Sequence, residues 1–242
     1  MELRDPISSA SHLLTALWAA YATMILLRLS PPIAGRRVAV AAYGLSMVLL
    51  FLASGTFHGV PYTRTGNPDE FRFFQKLDQS AIYLLIAGTN TPCLAILLSG
   101  WRSRCFLGLT WLVALSGVGC LWLLPMVPHE VTVGLYLGTG WLGLIAVRDY
   151  YRAVGWRAMN WMWLGAGLYT VGAVFELAEW PTISSGPIRF GYHEILHLFD
   201  TAASVAFFVF VLRYVLNYVP REEPDYCQLG TNDIGIPGEP AT

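Results

Sequence analysis

Two histidines stand four residues apart in the string His193-Glu194-Ile195-Leu196-His197. On a helix that spacing puts both imidazoles on one face, about one turn apart. A third histidine closes an apolar stretch, Ser54-Gly55-Thr56-Phe57-His58. Zinc takes imidazole nitrogens at roughly 2.0–2.1 Å in a tetrahedral shell. Two histidines from one helix and one from another leave the fourth position open for a water, which zinc can ionise near neutral pH. Asp78 is the candidate to hydrogen-bond that water and act as base. Ser54, one turn before His58 and on its face, is the candidate to orient a ligand or the water. A buried dication would also explain how an aspartate survives in apolar surroundings, where an unpaired charge is expensive.

The same string is literally HExxH, the signature of zinc proteases in which the glutamate is the general base. That reading is set aside. Soluble metalloproteases carry the motif in an aqueous cleft, whereas here it begins an apolar run. No suitable third ligand follows His197. Glu194 is displaced by about 100° from His193 around a helix, so its role stays open.

The elements that must position these residues are membrane helices. The chain has 242 residues, of which 55% are hydrophobic and only 13% charged, with a single lysine, Lys76. So much apolar side chain on a soluble surface would aggregate. A net charge of -1 offers no basic field for phosphates, which excludes a nucleic-acid binder. A secreted disulfide scaffold and a disordered tail protein are excluded as well. Spans of roughly 20 apolar residues fall at about 9–29, 38–58, 77–98, 105–127, 131–147, 159–180 and 192–214. The expected fold is therefore all-α, a bundle of seven transmembrane helices. It fills residues 1–219. Residues 220–242 turn polar and rich in Pro and Gly, the composition of a disordered tail. Pro31 and Pro32 stop the first helix. Met1 to Asp5 carries no net positive charge, so the first apolar run is expected to stay as a helix rather than be cleaved as a signal peptide.

Parity ties the chemistry together. The second helix ends on the side where the first began, and the third and seventh start there. His58, Asp78, His193 and His197 thus share one leaflet, whatever the absolute orientation. Loops on that side carry five Arg and Lys residues and loops on the other side ten, which favours an outside N-terminus and a cytoplasmic C-terminus. His12 and His129 read as helix-to-helix hydrogen bonds. Glu176 and Glu179 read as paired with arginine or water near the interface, and Asp200 as an outer partner of the site. The four cysteines (Cys93, Cys105, Cys120 and Cys227) show no paired spacing and read as small apolar residues.

Taken together, these motifs resemble the hemolysin III family, bacterial relatives of the adiponectin and progestin receptors. Ser54 to His58 is similar to the family's S-x-x-x-H. Leu77 to Thr89 (LDQSAIYLLIAGT), with Thr91-Pro92 after it, is similar to its most characteristic segment. Gly167 to Phe175 (GLYTVGAVF) resembles its sixth-helix motif, and His193 to His197 its H-x-x-x-H. The resemblance implies zinc held by His58, His193 and His197, with Asp78 and Ser54 around the metal-bound water. It implies an integral protein of the bacterial inner membrane whose partners are membrane lipids. The wider superfamily includes alkaline ceramidases, so hydrolysis of a lipid amide is the leading expectation. A metal-stabilised receptor or sensor without catalysis is the alternative. A pore former, suggested by the family's name, is third, because the polar groups gather in one leaflet and line no path across the membrane. Two positions depart from the family: Phe207 stands where relatives often have another histidine, and Asp200 where an apolar residue is common. Adiponectin receptors keep the N-terminus of this core in the cytoplasm and progestin receptors are reversed; the arginine count decides for the outside.

Overall fold

The computed structural model describes residues 5–33, 35–60, 68–125, 127–185 and 188–219. The tail expected at 220–242 lies outside these residues, as do Met1 to Arg4.

Helix α1 runs Pro6–Leu29, α2 Arg36–Gly59, α3 Pro68–Leu97 and α4 Gly100–Leu123. Helix α5, His129–Trp141, continues through a 3-10 turn, Leu142–Ala146, into α6, Val147–Ala178. A two-stranded antiparallel hairpin follows, β1 Thr182–Ser185 with β2 Ile188–Gly191, in the register Thr182 to Gly191 and Ser185 to Ile188. Helix α7, Tyr192–Phe210, ends in a π-helical turn, Val211–Val215.

Among the described residues, six helical segments are long and apolar enough to cross a bilayer. Where the sequence reading places two spans with a basic loop between them, helical residues continue through His129–Ala178, as two helices that meet at a kink at Gly155. The supposed loop contains no proline, and its Ala, Tyr, Val and Arg residues all tolerate a helix. Only Gly155 interrupts it, with φ 75° and ψ 176°, a conformation that an L side chain resists. The third helix also starts earlier than expected. It begins at Pro68, with Asp69 and Glu70 in its first turn, where acidic groups suit the helix dipole. Asp78 therefore sits well inside α3 rather than at its start.

Packing follows chain order and then closes. Helix α1 lies on α2, α2 on α3, α3 on α4 and α6 on α7, and α7 returns to α1. The core holds Leu26, Val40, Tyr43, Met47, Phe51, Tyr150 and Phe210, all fully buried. Leu14, Leu17, Val38, Leu45, Leu112 and Leu123 point outward, as a lipid-facing surface requires. Small residues set the helix spacing. A Cβ added at Gly88 of α3 would lie 2.7 Å from Ser46 Cβ and 3.1 Å from the Ala42 carbonyl of α2. Only glycine permits that approach, which is how apolar helices associate without a hydrophobic driving force.

Candidate metal centre

The closure of α1, α2 and α7 brings three imidazoles together. His58 is the penultimate residue of α2, and His193 the second residue of α7. His197 follows one turn later. One ligand nitrogen from each of His58, His193 and His197 lies within 4.8 Å of the others. His58 and His197 are each only 3% exposed.

Each of the first two rings is fixed by a carboxylate. Asp5 Oδ2 lies 3.1 Å from His58 Nδ1, and the Asp5 backbone N–H donates to the His58 carbonyl at 3.2 Å. Aspartate is a favoured N-cap, yet Asp5 makes no capping bond to α1; its carboxylate is turned to the histidine. Glu176 Oε2 lies 3.0 Å from His193 Nδ1, and Glu176 Oε1 3.6 Å from His129 Nε2 at the start of α5. A carboxylate beside Nδ1 favours the tautomer protonated there and leaves Nε2 as the donor of a lone pair. The two Nε2 atoms of His58 and His193 face each other at 3.0 Å. Two lone pairs at that distance repel unless a proton or a cation lies between them.

The donor set fits zinc. Two nitrogens at roughly 2.0–2.1 Å in a tetrahedral shell are about 3.3 Å apart, close to the observed 3.0 Å. Nδ1 of His197 is buried without a hydrogen-bond partner, a costly state that an ion held through that nitrogen would relieve.

The other predicted residues lie around this cluster. Ser54 is buried one turn before His58. Asp78 lines a cavity of about 320 Å³ together with Glu176, His193 and Asp200. On α3 the cavity wall extends from Gln75 to Cys93, about 27 Å at 1.5 Å per residue. Ile82, Ile86, Leu137, Met162 and Trp163 make the lining away from the histidines largely apolar. Phe207 lines it too and stacks on Tyr169, with centroids 6.0 Å apart; it takes no place among the ligands.

The contacts refine what the sequence offered. Glu176 contacts two histidines rather than an arginine. His12 packs helix to helix as expected, but chiefly by stacking on His197, whose backbone also lies beside its ring. Glu194 accepts from the Gly191 N–H and from Ser8 Oγ, both at 2.8 Å, so it ties the start of α7 to the hairpin and to α1. Asp5 escaped sequence reasoning altogether. The pair Asp5-Pro6 looks like an ordinary helix start, and nothing local marks it as a partner of a residue 53 positions away.

Apolar helices around a carboxylate-braced histidine cluster, buried at His58 and His197 and half-buried at His193, define a helical integral membrane protein with a candidate metal centre. The profile of the haemolysin-III related family matches residues 2–208. The chain belongs to that family. It is 35% identical over 181 residues to Hemolysin-3 of Bacillus cereus, covering 74% of this chain and 76% of that protein. It is 33% identical over 179 residues to the Hemolysin-3 homolog of Bacillus subtilis strain 168, covering 73% and 77%. A human relative, the Monocyte to macrophage differentiation factor, is 26% identical over 187 residues, covering 77% and 72%.

Proposed function

We propose that this protein is a zinc-dependent intramembrane hydrolase acting on a lipid amide. The observation that carries the reading is the pair of facing Nε2 atoms, each on a ring whose Nδ1 meets a carboxylate. His58, His193 and His197 would hold the metal, and Asp5 and Glu176 would keep two of the rings in the ligating tautomer. When bound, zinc supplies Lewis acidity at its open position. Asp78, which lines the same cavity as His193, would take a proton from the water that adds to the amide carbonyl and give it to the nitrogen as the C–N bond breaks, so that a fatty acid and an amine leave. The apolar lining holds an acyl chain and keeps bulk water from the reacting bond, which strengthens each charge interaction there. Ser54 orients the polar groups near His58.

The proposed architecture has seven crossings. The stretch His129–Ala178 holds 50 residues, or about 75 Å of helix against a hydrocarbon layer of about 30 Å. Its two ends meet, with His129 and Glu176 3.6 Å apart. Both facts support a path that goes out and returns, turning near Gly155. The inner membrane is the proposed location, with the C-terminus in the cytoplasm on the arginine bias. A reporter fused after Thr242 should then be active in its cytoplasmic form; periplasmic activity would reverse the orientation and leave the site as it is.

The function is tested with purified protein in defined bilayers containing a long-chain lipid amide. Zinc-dependent release of the fatty acid is the expected result. Full zinc occupancy without turnover of any lipid amide would favour a receptor instead, and ion flux independent of zinc would favour a pore.

A further inference from the structure

His12 lies in the middle of the first turns of α1 and is 2% exposed. Its ring is parallel to that of His197, with centroids 3.6 Å apart and an interplanar angle of 13°. It also makes a T-shaped contact with Phe51 of α2, at 5.1 Å and 81°. Neither ring nitrogen makes a well-formed hydrogen bond among the described residues, and the His197 backbone is the polar group beside the ring. Burying two unpaired nitrogens is unfavourable, and a leucine would fill the space without that cost. The position calls for a reason.

The geometry excludes direct ligation of the same ion. Imidazole lone pairs lie in the ring plane, so two nearly parallel rings direct theirs side by side and not to a common point. What His12 offers His197 is its face. A histidine bound to a dication becomes electron-poor, and the π face of a second, neutral imidazole attracts it, as a ring face attracts a cation. The edge contact from Phe51 keeps that face in place. Of the three candidate ligands, His197 is also the one whose Nδ1 has no partner. Asp5 orients His58 and Glu176 orients His193; His197 has no carboxylate partner on its Nδ1, and it meets the face of the His12 ring and the Ser8 backbone.

We propose that His12 is a positioning residue of the metal centre, setting the plane of His197 by stacking beneath it. The proposal rests on the metal reading above.

The test uses the full-length protein with zinc, and with cobalt as a spectroscopic probe, comparing His12→Leu and His12→Phe. Leucine fills the volume without a ring face, and phenylalanine restores the face without the nitrogens. His12→Leu is expected to weaken zinc binding roughly 10–100-fold, the usual effect of removing an outer partner of a ligand. It should also shift the visible cobalt bands, while the metal-free protein unfolds at the wild-type temperature or above. His12→Phe is expected to restore both affinity and spectrum. Wild-type affinity and cobalt bands in His12→Leu would overturn the proposal. So would a loss in His12→Phe equal to that in His12→Leu, since the nitrogens would then be what matters. A wild-type protein that binds neither metal fails differently: it removes the metal centre itself.

Discussion

His58→Ala protein, purified without chelator, is expected to carry almost no zinc where the wild type carries about one ion per chain. Among the described residues, His58 is the one member of the histidine cluster outside α7, and its ring faces His193 Nε2 at 3.0 Å. Without it, two histidines from one helix remain, which is too few for a stable site. The double variant His193→Ala with His197→Ala should empty the centre equally. Asp5→Ala should fall between, weakening binding roughly 10–100-fold, because it frees the His58 ring without removing it. Elemental analysis and competition with a chelator read all three. Thermal unfolding should fall with the metal, since the ion links α2 to α7. A metal-free wild type after gentle purification would end the reading.

Asp78→Asn should leave zinc in place and lower lipid amide turnover on the order of 10²–10⁴-fold, the usual effect of losing a general base. Glu194→Gln should change turnover little. Both Glu194 oxygens are engaged away from the histidines, one by Ser8 and one by the Gly191 N–H. A glutamine still accepts one of those bonds, so the start of α7 survives. The comparison separates two zinc chemistries that the string from His193 to His197 leaves open. In the HExxH chemistry the order reverses, and a reversed order would sink the assignment to Asp78.

The bundle and the three histidines were legible because each rests on a strong local signal. Apolar runs of membrane length mark the helices, and a four-residue spacing puts His193 and His197 on one face. Parity alone brought His58 to the same leaflet. What was not legible depends on contacts that no local pattern encodes. Asp5 and Glu176 reach the rings only after α1, α2, α6 and α7 have packed. His12 is one ring among many apolar neighbours until α7 lies against it. The stretch Arg148 to Arg157 reads as a loop because its charges suggest water; the structure keeps it helical on both sides of a kink at Gly155. The hairpin before α7 was hidden by the same short polar connection that a plain loop would show.

The clasp between Asp5 and His58 sets an order of assembly. A membrane chain is inserted from its N-terminus, so α1 and α2 meet early and can brace His58 while the rest is still being made. The two other imidazoles arrive with the last helix. The half-built protein therefore holds one oriented histidine and no chelate. On the metal reading proposed above, capture would be the final event of biogenesis, and a chain that stalls before α7 is expected not to retain the ion.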